Sequence, residues 1–314
     1  MKGNSRNAFG GYHPLLNFGW FCTVIFLSML LQHPLSMGIA TAGSAFYAIW
    51  LGGRKTLRFV IGLILPMILL VTVINPLVNH EGVTILTYIG DNPVTLEAVL
   101  YGTLSGFMLA SVFLWFSCYN TLMSSDKFVY LFGRILPSMS LVFSMALRFI
   151  PRFKVQIQAI SRAQKCVGRD VKSGSLLKRA KYGAKILSIM VTWALENAII
   201  TADSMKSRGY GLKGRTAFSI YRFDARDAIV GLIAAAALLI VAAGIATGAF
   251  HARYFPCLEL IGPGSAEGVY YVAWFVLCFL PIMLDIKEAF NWRRLQSEMI
   301  PFFIHARKSL PWTN

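Results

Sequence analysis

The sequence predicts an all-α, polytopic membrane helix bundle that carries two long amphipathic helices on its cytoplasmic side. Three observations lead there. Hydrophobic residues fill 56% of the 314 positions and charged residues only 14%, at a mean hydropathy of +0.59. An ordinary soluble domain carries about 25% charged residues, so a chain this poor in polar surface is read as membrane-embedded. The apolar residues gather into six runs of roughly the 20 residues that cross a hydrocarbon core. Seventeen of the thirty Lys and Arg fall in one stretch, Arg148–Arg226, against four acids, and a block of that sign belongs on the cytoplasmic face.

Taken in order, the first run is Leu15–Leu31, preceded by Lys2 and Arg6. Ala40-Thr41-Ala42 resembles a cleavage site, but it lies too far beyond this run and too many spans follow. Residues 1–32 therefore read as the first membrane helix rather than a signal peptide. His33-Pro34 breaks the chain before a second run, Leu35–Leu51, and Gly52-Gly53-Arg54-Lys55 with Arg58 forms a basic loop. A third run, Phe59–Ile74, ends at Asn75-Pro76. Asn79–Leu96 has no Lys or Arg and carries Glu81 and Asp91, which places it outside. The fourth run is Leu96–Phe116. Phe128–Ile150 is apolar, but Arg134 and Pro137 cut it into pieces too short to cross, so it reads as interfacial. The fifth and sixth runs are Ala228–Phe250 and Val269–Ile286, with a basic tail from Lys287. Ile186–Ile200 is nearly span-like, yet Glu196 and Asn197 interrupt it and basic segments flank it.

Both termini inside puts every Lys/Arg-rich loop on one side of the membrane. The chain then divides into N-terminal transmembrane helices (1–147), a cytoplasmic helical module (148–226), and C-terminal transmembrane helices with a basic tail (227–314). Gly102 and Gly106, then Gly244 and Gly248, stand four apart. That spacing lets helix backbones approach closely in lipid, although glycine is also simply common in membrane helices.

Several function classes lack support. The net charge of +16 is clustered between apolar runs, so loops and anionic headgroups account for it without nucleic acid. Five scattered cysteines and five dispersed histidines form neither a disulfide framework nor a metal site. There is no GxxxxGK[ST] loop for ATP, and no GxSxG, HExxH or paired-carboxylate arrangement. Acids in the spans are nearly lacking, which argues against a self-contained ion-coupled carrier. A membrane-embedded enzyme or lipid-interacting protein that uses the basic patch stays as an alternative.

Within the basic stretch, Phe149, Phe153, Ile157 and Ile160 share one helix face. That helix is expected to start near Pro151 and to stop near Gly168. A second helix lines up Met190, Ala194, Ala198, Ala202 and Met205, with Leu195 and Ile199 beside them, and stops at Gly209. Glu196 on this helix reads as a structural pair or interface contact in preference to a proton relay. A guanidinium just before a terminating glycine, as in Ser207-Arg208-Gly209, gains from the helix dipole and stands exposed for an acidic or carbonyl acceptor.

The run ALRFIPRFKVQIQAISRAQKCVGRD, followed by ADSMKSRGYG, resembles the T component of energy-coupling factor (ECF) transporters, the EcfT/CbiQ family. The resemblance extends from His13-Pro14 through the fifth run. It implies two short Ala-Arg-Gly-like motifs at the ends of crossed coupling helices, each arginine seated in a groove of an ATP-binding subunit. The second motif is Ser207-Arg208-Gly209. The first aligns with Cys166-Val167-Gly168, where Val167 stands in place of the arginine and Arg169 or Lys165 offers a substitute charge. The family further implies a non-catalytic subunit of an ATP-driven importer in a prokaryotic plasma membrane. Its partners would be two ATP-binding cassette subunits, which hold ATP and magnesium, and a small membrane S component that captures a vitamin or transition-metal ion. No cofactor is expected on this chain.

Overall fold

The computed structural model describes residues 7–89, 92–133, 137–170, 175–212, 221–255, 259–260 and 267–308. It is all-α apart from short strand pairs, and it divides into two compact units. One comprises Met1–Ser124 with Tyr221–Asn314, the other Ser125–Ile220.

The first unit begins with a single 3-10 turn, Phe9–Gly11, then α1 (Pro14–Leu30) and α2 (Pro34–Gly52). Both helices start in the same way. Proline at the first position supplies a preset φ, and the preceding histidine caps the helix: His13 Nδ1 accepts from Leu15 N–H and His33 Nδ1 from Leu35 N–H, each at 3.3 Å. Next come α3 (Arg54–Phe59) and α4 (Leu65–Val78), joined through a π-helical turn, Val60–Ile64, into one rod spanning Arg54–Val78. The hairpin β1 (Ile85–Ile89) and β2 (Asn92–Thr95) leads to α5 (Leu96–Leu122), which Thr95 caps through Ala98 N–H. In the second unit lie α6 (Ser125–Gly133), α7 (Pro137–Cys166) and α8 (Leu176–Ser207). The chain returns to the first unit with α9 (Ala225–Ala246), opened by an Asp224–Asp227 capping box, and α10 (Gly268–Lys308).

Several element ends differ from the sequence expectation. Asn75-Pro76 does not close the third run, because Pro76 lies inside α4. Nor does Pro151 open a helix: α7 starts at Pro137 and runs through it. Phe149 and Phe153 stack across the proline, with centroids 5.8 Å apart and planes at 13°, so the apolar face continues through the site of the missing N–H. Arg134 lies outside the described residues. Six helices among the described residues are long and apolar enough to cross a membrane: α2, Arg54–Val78, α5, α8, α9 and α10 as far as Leu295. The sequence count of six includes Leu15–Leu31 and leaves α8 out. In the structure α1 is a shorter apolar helix of 17 residues, while α8 meets the length.

The core of the first unit is an aromatic cluster. Trp20 sits edge-on to Phe9 at 5.4 Å and to Trp115 at 5.2 Å, and Tyr47 and Phe21 adjoin Trp115. Such edge-on pairs contribute about 0.5–1.5 kcal/mol each beyond the area they bury. Polar ties fix the helices around this cluster. Trp274 Nε1–H donates to Ser36 O at 3.0 Å, joining α10 to α2. Asp285, fully buried in α10, accepts the Phe9 N–H at 2.8 Å, and Asp227 accepts the His13 N–H at 3.1 Å. Two carboxylates therefore hold the N-terminal segment against α9 and α10.

Candidate functional site

The candidate site is the helix pair α7–α8 and, above all, its two C-terminal ends. The pair meets over a small apolar crossing. Ile160 sits with Ile186 and Met190, and Phe153, Ile189 and Trp193 pack around them. Phe153 meets Trp193 edge-on at 5.7 Å, and the Arg152 guanidinium lies 5.9 Å over the same indole. Moving forward along α7 from Phe153 to Ile160 means moving back along α8 from Trp193 to Ile186, so the helices run antiparallel. Their C-terminal ends therefore leave the crossing in opposite directions, by about 10 residues (~15 Å) in α7 and about 17 residues (~25 Å) in α8.

The sequence-predicted faces hold in part. Phe149, Phe153 and Ile160 turn toward the pair, but Ile157 is exposed. On α8 the inward line is Ile186, Met190, Trp193, Ala194, Asn197 and Thr201, while Leu195 and Ile199 stand outward at 62% and 65% exposure. With Leu187 and Val191 they form a stripe at four-residue spacing along the open side of α8. Glu196 is exposed and makes no ion pair among the described residues.

The two helix ends are built to one plan. At the end of α8, Arg208 N–H bonds Met205 O, Gly209 N–H bonds Lys206 O, and Tyr210 N–H reaches back to Met205 O. At the end of α7, Val167 N–H bonds Gln164 O, Gly168 N–H bonds Lys165 O, and Arg169 N–H reaches back to Gln164 O. The glycines take φ +82° and +79°, a left-handed conformation that a side chain resists, so glycine is needed at both stops. Residue by residue, Cys166 corresponds to Ser207, Val167 to Arg208, Gly168 to Gly209 and Arg169 to Tyr210.

This equivalence orders the predicted site residues. Ser207, Arg208, Cys166, Val167 and Arg169 are all exposed, and Gly209 is half-buried under Leu212. Lys165 forms an ion pair with Asp170 at 3.5 Å. Arg169 makes no side-chain hydrogen bond or ion pair among the described residues. A sequence match at Cys166-Val167-Gly168 could suggest the register; the matching hydrogen bonds supply it.

The four glycines separate. A Cβ on Gly102 would lie 2.8 Å from Asn75 Cβ, and one on Gly106 3.2 Å from the Ile68 Cα, so α4 and α5 pack backbone to backbone there. Gly244 admits Tyr270 and Phe250 just as closely. Gly248 has open space around it and φ +77°, so it serves the turn after α9 and no helix contact. Sequence reasoning missed Asp285, because a single acid at the end of an apolar run looks like the end of a span. Among the described residues, no group of His, Cys, Asp and Glu is arranged to hold a metal.

A family model described as CbiQ, cobalt transport protein, matches residues 13–218 of this chain. The energy-coupling factor transporter transmembrane protein EcfT of Lactobacillus helveticus is 41% identical over 91 residues, 29% of this chain and 33% of that protein. EcfT 1 of Listeria monocytogenes is 35% identical over 107 residues, 34% of this chain and 39% of that protein. EcfT of Lacticaseibacillus paracasei is 26% identical over 241 residues, 71% of this chain and 88% of that protein. The match thus spans only about a third of the first two relatives.

Proposed function

The chain belongs to the CbiQ family, and from that premise we propose that it is the transmembrane coupling subunit of an energy-coupling factor importer. It is a multi-pass membrane protein with an apolar bundle; in this reading it lies in a prokaryotic plasma membrane with both termini cytoplasmic. Two ATP-binding cassette subunits bind ATP with magnesium and change their separation. The ends of α7 and α8 receive them, and the helices act as levers that shift a two-state equilibrium toward release by an S component. The cargo is a vitamin or a transition-metal ion, chosen by the S component. The chain itself performs no chemistry.

One observation carries this reading: the unit Ser125–Ile220 presents two helix ends of identical backbone design, on opposite sides of a crossing, with Arg208 exposed at one of them. A guanidinium at a helix C-terminus, with Lys206 beside it and its glycine stop behind it, suits an acidic groove on a partner. The exposed apolar stripe on α8 supports a further partner of apolar character.

Affinity purification of the tagged protein in mild detergent, with mass spectrometry and an ATPase assay, tests the proposal. ATP-binding subunits should co-purify. Arg208→Glu should reduce their recovery more than Val167→Glu, since it reverses an existing charge and sets like charges against each other, whereas Val167→Glu introduces a charge at a position that carried none. Equal effects would sink the assignment of Arg208. A protein that emerges folded but alone would remove the coupling role and return attention to the basic patch. Leu176 and Leu177, more than 80% exposed beside Lys178 and Arg179, favour that patch as a headgroup-binding surface, and vesicle flotation with and without anionic lipid measures it.

A further inference from the structure

The shared backbone plan makes the side chains at the two ends directly comparable, and they differ in kind. At the α8 end the residue before the stop is Arg208, Lys206 stands two positions earlier, and no acid occurs from Met205 to Leu212. At the α7 end the same position holds Val167, 67% exposed. The equivalent of Lys206, Lys165, is partly neutralised by Asp170 at 3.5 Å, at the position where α8 has Gly211. Among the described residues the unpaired positive charge at this end is Arg169, two residues later, at the place of Tyr210. One end therefore projects a guanidinium from its cap position and the other a branched apolar side chain from the same position.

We infer that the two ends are received by chemically unlike seats: the α8 end by a groove with an acid facing Arg208, the α7 end by an apolar seat facing Val167 and lacking that acid. This rests on the coupling reading above. An exposed valine gains by transfer into an apolar seat, in proportion to the area it loses to water. A groove with an acid aimed at that position would leave the carboxylate buried and unpaired against Val167, a strongly unfavourable arrangement. A seat matched to valine rejects charge of either sign for the same reason, so the two ends cannot exchange partners without loss. Because the ends diverge from the crossing, each meets its seat independently, and the specificity of one end does not compromise the other.

The test uses the full chain co-expressed with the ATP-binding subunits that purify with it. A photo-crosslinking amino acid is placed at position 166 and, separately, at the equivalent position 207. Capture of ATP-binding subunits from both positions supports the reading on which the inference rests, and capture from neither overturns that reading. Val167→Arg, Val167→Glu and Val167→Leu are then compared at the α7 end by capture from position 166. An apolar seat lowers capture about tenfold or more for both charged variants and leaves Val167→Leu within about twofold of the parent. If Val167→Arg raises capture while Val167→Glu lowers it, an acid already waits in the α7 seat and the inference fails, with the coupling reading intact. Equal capture by all three variants would likewise overturn it. Capture from position 207 reports folding: it should stay unchanged in every Val167 variant.

Discussion

Trp193→Ala should loosen the α7–α8 crossing more than any other single truncation in that unit. The indole sits at the centre of three interactions. It meets Phe153 edge-on at 5.7 Å, lies under Arg152 at 5.9 Å, and packs against the Ile160–Ile186–Met190 cluster. The aromatic pair contributes about 0.5–1.5 kcal/mol beyond area, and a partly exposed cation–π contact about 0.5–1 kcal/mol. Half-burial of the ring adds about 1 kcal/mol by area. The sum, about 3 kcal/mol, corresponds to roughly a 100-fold rise in the population of the opened pair. Hydrogen–deuterium exchange in detergent reads this directly. Amides of Phe153–Ile160 and Ile186–Trp193 should exchange about 100-fold faster, while those of α5, in the other unit, keep their rates. Trp193→Phe retains an aromatic edge and should accelerate exchange by about tenfold or less. An acceleration below about threefold for Trp193→Ala, or an equal one in α5, would refute the view that this small crossing holds α7 and α8 together.

Three further outcomes follow from contacts in the first unit. Gly106→Val should destabilise the α4–α5 contact by about 1–3 kcal/mol, since the Ile68 Cα and carbonyl oxygen at 3.2 Å are backbone and yield little; a thermal midpoint in detergent equal to the parent's would contradict this. Gly244→Ala should cost more than Gly248→Ala. The former drives a methyl to 2.7 Å from the Tyr270 ring, whereas the latter meets only the strain of φ +77°, about 1 kcal/mol. Asp285→Ala should leave the Phe9 N–H buried without its acceptor, at about 1–3 kcal/mol, and speed exchange of that amide. Asp285→Asn, which keeps an acceptor oxygen, should restore much of the protection.

The fold was legible where composition alone decides it. The apolar runs at Leu35–Leu51, Leu96–Phe116 and Val269–Ile286 each fall within a helix of the structure, Ala228–Phe250 overruns α9, which ends at Ala246, and Gly168 and Gly209 mark the stops of α7 and α8. Proline misled. Pro76 and Pro151 are local signals for a break, but a helix continues through proline where its packing face persists, and the Phe149–Phe153 stack supplies that face on α7. Asp285 was illegible for a different reason. Its partner, the Phe9 N–H, is 276 residues away, and no periodicity reports a contact at that separation. At the candidate site, Arg208 stands out because its cap residues are in sequence, and the family resemblance already set Val167 in the place of an arginine; what the sequence could not supply is the matching set of backbone hydrogen bonds at the two ends.

The place of α8 shows why hydropathy could not finish the assignment. By length and composition α8 passes as a spanning helix as readily as α2 does. Yet α2 buries Met37, Ala40, Tyr47 and Ala48 against its neighbours, while α8 buries only Ile186 and Met190 and leaves Leu187, Val191, Leu195 and Ile199 outward. An outward apolar stripe is compatible with lipid or with an apolar protein surface, and transfer energy alone does not distinguish them. The flanks do. Lys178, Arg179, Lys181 and Lys185 crowd one end of α8, and Lys206 and Arg208 the other. A helix with basic residues at both ends violates the Lys/Arg asymmetry of a membrane span, whichever way it is threaded. The same charges are at ease if both ends stay in the cytoplasm and the stripe between them is covered by an apolar partner. That charge pattern favours the proposed placement of α8 outside the bilayer, with Arg208 exposed at its tip.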